Sequence, residues 1–148
     1  MSGTTDILPI MVEDHCKIEK LLDEFEENAK KDYPSMRESF YRFEWELEKH
    51  LFVEEKAIFT QYSPDNISED YKMLPVVTEQ HNFIINKLNN WRKDIRNKRS
   101  ITDISELKEF LIKHREYEEK ELYPRLDQTL DAKQKKHIIN RVHQIAGK

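Results

Sequence analysis

The stretch HLFVEEKAIF at residues 50–59 has a near-repeat, HREYEEKELY, at residues 114–123. Both copies read histidine, three residues, Glu-Glu-Lys, one residue, an aliphatic side chain and an aromatic one. On an α-helix, positions four apart are rotated by roughly 40° and positions five apart by roughly 140°. In each copy the histidine and the first glutamate therefore project together. The second glutamates, Glu55 and Glu119, are expected to face solvent or a neighbouring helix.

Four segments around these copies repeat their apolar positions in alternating steps of three and four, which is typical of helices packed along one seam. The seams begin at Leu8, Met36, Leu74 and Ile104. Only 2 glycines and 5 prolines punctuate the 148 residues, too few for a protein of many short strands. We predict an all-α fold, a four-helix bundle forming a single domain over residues 1–148. The stretch from 131 to 146 predicts a short fifth helix at the C-terminus.

The breaks between helices are visible as turn and capping residues. Tyr33-Pro34 is expected to separate helices one and two, and the run from Ser63 to Asn66 to end helix two. Asp103 with Glu106 forms a capping-box pattern for helix four. Pro124 should end or kink that helix, because its ring clashes with a carbonyl one turn earlier.

Composition excludes several classes of protein. The net charge is −4, and no basic patch with interleaved aromatics suggests a nucleic-acid partner. No apolar stretch is long enough to span a membrane. The N-terminus has no signal-peptide pattern. Cys16 is the one cysteine, which excludes an internal disulfide and favours a reducing cytoplasm.

Six polar side chains interrupt the apolar seams at compatible depths. An ionised carboxylate in such a place costs several kcal/mol unless it is paired or bound to a metal. Histidine is a common metal ligand, and carboxylates bridge hard cations. Each of two metal ions could receive two nitrogens and two oxygens. The predicted metal ligands are His15, His50, Glu54, His81, His114 and Glu118.

The alternative for each residue alone is an ordinary one. A lone histidine in a seam is usually a hydrogen-bonded core residue, and a lone His-x-x-x-Glu is usually a surface pair. Two copies of that pair, with a seam histidine on each remaining helix, favour metal over a metal-free bundle.

Other candidates are weaker. Cys16 points about 100° away from its neighbour on the helix and is expected to be a packing residue. His137 and His143 lie on the fifth helix and are expected at the surface. Glu13 and Asp14 are interpreted as solvated charges near a helix N-terminus. Four aromatic residues could line the site or belong to the core: Phe59, Trp91, Tyr117 and Tyr123.

With these residues assembled, the chain resembles the hemerythrin-like family, also called the HHE cation-binding domain, from about Ile7 to Ile145. The resemblance rests on the six residues above and on the run from Glu118 to Pro124. It implies an up-down-up-down bundle around a non-haem di-iron centre, bridged by two carboxylates and an oxo or hydroxo group.

Two positions differ from the oxygen-carrying hemerythrins. Ile85 stands where those proteins have a second histidine on helix three, and we expect its side chain to lie beside the same metal as His81. Glu119 stands at the place of their helix-four aspartate. The resemblance therefore implies four histidines and two glutamates, which disfavours stable oxygen carriage. Glu19 or a tyrosine could supply a further ligand.

The resemblance implies an iron pair that binds dioxygen or a related small molecule, for oxygen binding or sensing. One alternative is a redox enzyme that handles nitric oxide or peroxide, or an iron donor for repair of iron–sulfur clusters. Another is a non-catalytic iron sensor or store. All of these use the same ligand set, so the sequence alone does not separate them.

Overall fold

The computed structural model describes residues 6–59 and 73–146, and it contains helices and no strand over these ranges. The α-helices are α1 Ile7–Asn28, α2 Tyr33–Val53, α3 Met73–Arg96, α4 Ile104–Tyr117, α5 Tyr123–Thr129 and α6 Ala132–Ala146. A first π turn, Glu54–Ile58, extends α2, and a second π turn, Glu118–Leu122, joins α4 to α5. No helix in the described ranges is both long enough and apolar enough to cross a membrane.

Helices α1 to α4 form the bundle. Helix α1 packs against α2 and α4, and α3 packs against the same two helices. Phe25 of α1 lies 5.5 Å from Phe40 between ring centroids, whereas His15 lies 4.7 Å from His50. Residue numbers that increase along α1, from 15 to 25, are paired with numbers that decrease along α2, from 50 to 40. Helices α1 and α2 are therefore antiparallel. The predicted all-α four-helix bundle is confirmed.

The apolar core has two parts. The lower core belongs to α1–α4 and contains an aromatic group of Phe25, Phe40, Phe43 and Trp91. The upper core adds α5 and α6 and includes Ile58, Leu122, Tyr123 and Ile138. Along α1, α3 and α4, the predicted ligands fall between residues of the lower core and residues of the upper core, and on α2 they lie where the lower core gives way to the upper core. A polar layer therefore crosses the bundle between two apolar ones.

The predicted fifth helix is confirmed as α6, and its start is well capped. The Asp131 carboxylate accepts the Gln134 backbone N–H at 2.7 Å, while the Gln134 amide oxygen accepts the Asp131 backbone N–H at 2.9 Å. This reciprocal pair is a capping box. Ile138 is fully buried and Val142 nearly so, as the amphipathic pattern predicts.

Three predicted boundaries differ from the structure in detail, although α4 does begin directly after Asp103. Tyr33 and Pro34 begin α2 instead of separating it from α1. Asp103 makes no side-chain cap bond, because its carboxylate accepts hydrogen bonds from Trp91 Nε1 at 2.7 Å and from Lys87 Nζ at 2.5 Å. The helical path does not end at Pro124, which lies in the first turn of α5, a position that tolerates proline. The regular α-helix is interrupted just before it, at the π turn Glu118–Leu122. The predicted end of helix two at 63–66 lies outside the described residues.

Candidate metal centre

The structure brings the six predicted ligands together in the polar layer. None of the six is more than 5% exposed, and three of them (Glu54, His81 and Glu118) are 0% exposed. They form two overlapping groups that share both glutamates, and within each group the potential ligand atoms lie within 4.8 Å of one another. Group A consists of His15, His50, Glu54 and Glu118. Group B consists of His81, His114, Glu54 and Glu118.

Each shared glutamate begins a π turn. The backbone N–H of Phe59 bonds to the carbonyl of Glu54 at 2.8 Å, a step of five residues, and Tyr123 bonds to Glu118 in the same way. The extra residue in each turn shifts the helical phase, so that Ala57 and Ile58 are both buried. Turns of this kind are frequent at functional sites.

The Nε2 atoms of the four histidines face the two carboxylates. Glu118 spans the groups, with Oε1 at 3.0 Å from His15 Nε2 and Oε2 at 3.2 Å from His114 Nε2. Glu54 presents one oxygen to both groups, with Oε1 at 3.0 Å from His81 Nε2 and 3.4 Å from His50 Nε2. Both carboxylates are therefore placed to be shared between two neighbouring ions.

The Nδ1 atoms of the same histidines point outward, and each meets an acceptor on an adjacent helix. The pairs are His50 with Asp14 at 2.5 Å, His81 with Glu55 at 2.9 Å, His114 with Gln80 at 2.5 Å and His15 with Glu119 at 2.7 Å. If each Nδ1 carries the proton and donates it, the Nε2 lone pair is left facing the centre, which is the tautomer a metal ligand needs.

Sequence reasoning missed the role of these four acceptors, which we call the outer acceptors: Asp14, Glu55, Gln80 and Glu119. The prediction that Asp14 is a solvated charge is incomplete, because its carboxylate accepts a hydrogen bond from His50. Burial raises its pKa, but the hydrogen bond and the charge of His50 outweigh burial and lower it overall. Glu55 and Glu119 do turn to a neighbouring helix, where they bind histidines. One signal was available, since every outer acceptor is the sequence neighbour of a predicted ligand.

Tyr123 is the remaining polar group at the centre. It is fully buried, and its hydroxyl donates a hydrogen bond to Glu54 Oε2. Its ring centroid lies 6.1 Å from that of His15. Of the four aromatic candidates, Tyr123 and Phe59 border the centre, whereas Trp91 belongs to the lower core.

Several other expectations can now be compared with the structure. Glu19 is paired with Arg115 and does not join either group of potential ligands. Ile85 is 36% exposed, so part of its side chain faces solvent. Cys16, His137 and His143 are exposed. The surface expectation holds for both histidines, while Cys16 is not a buried packing residue.

The atoms that face the centre lack the partners that buried polar atoms normally have. No hydrogen bond of good geometry reaches Glu54 Oε1, either carboxylate oxygen of Glu118, or Nε2 of His81 and His114. Leaving such atoms unmatched costs several kcal/mol. Metal ions between the nitrogens and the oxygens would satisfy all of them, so the donor set fits a metal centre.

In the metal-free chain, the two central carboxylates raise the pKa of His50 and of His81. Burial lowers the pKa of His81, but contacts with Glu118 and Glu54 outweigh it and raise the value to about 10. Burial also lowers the pKa of His50, but the charge of Glu54 and the contact with Asp14 outweigh burial and raise the pKa well above its ordinary value. Burial raises the pKa of Glu118, yet contacts with Glu54 and His114 hold it well below the usual range. The centre is thus built to attract positive charge.

A family model described as the hemerythrin HHE cation binding domain matches residues 6–142 of this chain. No significant match is found among curated proteins or among solved structures. The matched range contains all six predicted ligands and all four outer acceptors.

Proposed function

Because this chain belongs to the hemerythrin HHE cation-binding domain family, we propose that its buried His/Glu cluster holds two iron ions and binds dioxygen or a related small molecule. The ligands are the six predicted residues, with one ion in each group. The observation that carries this proposal is the pair of groups sharing Glu54 and Glu118.

Iron suits this set of donors. Imidazole nitrogens and carboxylate oxygens bind zinc, manganese and iron alike, and helical bundles commonly build di-iron centres from paired carboxylates and histidines. When bound, ferrous ions supply electrons and open coordination positions to dioxygen, nitric oxide or peroxide. The protein's own groups fix the ligands: the outer acceptors hold each imidazole ring, and both π turns begin at a carboxylate.

A small cavity beside the centre matches a ligand of one or two heavy atoms. Its volume is about 20 Å³, roughly that of one water-sized probe. His15, His50 and His114 form one side of it. Its apolar wall consists of Ile18, Leu47, Leu51 and Leu111. Glu19 and Arg115 also line it. A space of this size admits only a small molecule, which favours dioxygen or nitric oxide.

We also propose that residues 1–148 form one such domain and that it works in the reducing cytoplasm. The family model covers most of the chain, which supports a single domain. Cys16 is the one cysteine of the chain and forms no internal disulfide, which suits a reducing compartment.

Elemental analysis of protein produced with ample iron tests the metal count directly. We expect about two irons per chain, as two groups with shared carboxylates require. His114→Ala should lower the iron content toward one per chain, because His114 belongs to group B only, whereas His137→Ala, at an exposed histidine on α6, should keep both irons. One ion or none in the fully loaded native chain would contradict the proposal.

Stopped-flow spectra of the diferrous protein then separate the candidate ligands. Mixing with dioxygen should give a new absorption band, and removing the gas under vacuum should reverse it if the protein is an oxygen binder. An irreversible change with dioxygen, together with rapid turnover of nitric oxide or peroxide, would favour the redox enzyme. No reaction with any of the three would favour an iron store or sensor.

A further inference from the structure

The centre has an approximate internal two-fold symmetry that relates α1 and α2 to α3 and α4. His15 and His50 are 4.7 Å apart between ring centroids, and His81 and His114 are 5.2 Å apart. Glu119 accepts from His15 in the same way that Glu55 accepts from His81. The repeated stretches 50–59 and 114–123 are the sequence counterpart of this symmetry.

The symmetry is broken at one outer acceptor. His50 donates its Nδ1 proton to a carboxylate, Asp14, whereas His114 donates to the side-chain amide oxygen of Gln80. Both bonds are 2.5 Å long, so the difference is one of charge and not of distance. An anionic acceptor increases the electron density and the ligand strength of an imidazole, and a neutral amide does so far less.

The remaining acceptors increase this difference. In group A, the side chains of Asp14 and Glu119 are 32% and 18% exposed. In group B, Glu55 is 42% exposed, so solvent screens its charge more strongly. Arg115 Nη1 lies 3.8 Å from Glu119 Oε1, but Oε2 of Glu119 stays on His15. Group A therefore has two anionic acceptors that are better shielded, and group B has one, which is more exposed.

We propose that Gln80 makes group B the weaker of the two metal positions, so that the chain loads its ions in two steps, group A first. This inference rests on the proposed two-ion centre and adds an order of loading to it. The second ion exchanges readily with the surroundings, whereas the first stays bound. Gln80 and Asp14 act through the histidines and are positioning residues.

Titration of the metal-free full chain with Co(II) under anaerobic conditions, followed by the visible d–d bands, tests the order of loading. The native protein should show two steps whose affinities differ by about tenfold or more, the usual effect of an outer acceptor. Gln80→Glu should strengthen the second step by about tenfold and leave the first unchanged. Asp14→Asn should weaken the first step by a similar factor and bring the two steps together.

Two further variants assign the steps to positions. His114→Ala should abolish the weak step and keep the tight one, and His50→Ala should do the reverse. Asn82→Asp is the matched control, because it adds a negative charge to α3 at an exposed position next to His81 without providing an Nδ1 acceptor. It should leave both steps unchanged.

The possible failures are distinguishable. Two ions bound with equal affinity in the native chain, unaffected by Gln80→Glu and Asp14→Asn, would overturn the inference and leave the di-metal centre intact. An equal response to Asn82→Asp and Gln80→Glu would also overturn it, since general charge would then be the cause. Binding of one ion or none would contradict the proposed function itself.

Discussion

The two copies of the repeated stretch, 50–59 and 114–123, share the His-x-x-x-Glu-Glu-Lys pattern and each contains a π turn. The first glutamate of each copy nevertheless has different hydrogen-bond partners. The second copy ends in Tyr123, whose hydroxyl donates to Glu54. The first ends in Phe59, which stacks on His81 at 6.1 Å, the counterpart of Tyr123 beside His15 at the same distance. Phe59 has no hydroxyl to offer, and both oxygens of Glu118 lack a hydrogen bond of good geometry.

This difference shows what a sequence repeat does and does not determine. The shared positions place two carboxylates and two histidines in equivalent surroundings. The last position, Phe59 in one copy and Tyr123 in the other, sets how many oxygens each carboxylate has free of a hydrogen bond. Glu118 can give two and Glu54 one, so the two glutamates should respond differently to mutation.

The largest expected effect follows from removing either glutamate. Glu118→Ala should leave the chain nearly free of iron, because its two oxygens reach both groups. Glu54→Ala should remove less, because only Oε1 faces the centre. Iron content by elemental analysis measures both, with Glu116→Ala as the control at an exposed position. Equal losses at 54 and 118 would remove the distinction between the copies.

The second glutamates of the two copies give a smaller effect. Glu119→Gln and Glu55→Gln should each weaken iron binding by about 10- to 100-fold, the usual cost of losing an outer acceptor. Glu119→Gln should be the more harmful, because Glu119 is the more buried of the two. Competition with a chelator of known affinity gives both values. Glu121→Gln, at an exposed position in the second copy, should be neutral, and an equally large effect there would remove the role given to Glu119.

The sequence alone predicted only that Glu55 and Glu119 point away from the ligands of their own helix, since an ideal helix turns them by roughly 140°. That estimate was correct about direction but did not include the histidines of the next helix, which lie where those side chains point. The four seams, the clustering of the six candidate ligands and α6 could be predicted because each depends on periodicity within one helix. The π turns, the outer acceptors and the bond from Tyr123 to Glu54 depend on contacts between helices, which periodicity does not describe. Asp103 illustrates the same limit, since contacts with α3 displaced its capping bond.

The two histidines that face Glu54, His50 and His81, should make the stability of the metal-free chain depend on pH. In the metal-free chain the pKa of His81 is raised to about 10, against an ordinary value of 6.5, and that of His50 is raised too. A raised pKa in the folded state stabilises the fold below pH 6.5, and this contribution is lost as pH rises toward 10. The free energy of unfolding of the metal-free chain should therefore fall over that range, as urea denaturation can measure.

The free energy of unfolding of the iron-loaded chain should instead rise from pH 6.5 to 10, because metal competes with protons for the ligands and binds more tightly as pH rises. Stability that stays constant from pH 6.5 to 10 in the metal-free chain would argue against protonated His50 and His81. The low pKa of Glu118 predicts a separate loss of stability below about pH 4.5, its ordinary value.

The smallest effect concerns the aromatic end of each copy. Tyr123→Phe should keep the metal content but release Glu54 Oε2, which alters the coordination and shifts the d–d bands of the Co(II) protein. Phe59→Tyr should shift the same bands by supplying a hydroxyl near Glu118, and the double variant would exchange the two copies. Thermal melts monitor packing separately. Unchanged spectra in both single variants, with normal metal content, would show that the hydroxyl has no influence on the centre.

The outer acceptors also determine how the halves of the chain depend on each other. We call α1–α2 the first half and α3–α6 the second half. Asp14 accepts a hydrogen bond from His50 and Gln80 accepts one from His114, so each half supplies the outer acceptor of one of its own histidines. Glu55 accepts a hydrogen bond from His81 and Glu119 accepts one from His15, so these two bonds join one half to the other. Neither half can orient both of its imidazoles alone. If the chain were cut between α2 and α3 into two fragments, metal binding would require the fragments to associate, and the ions would act as a reporter of correct assembly.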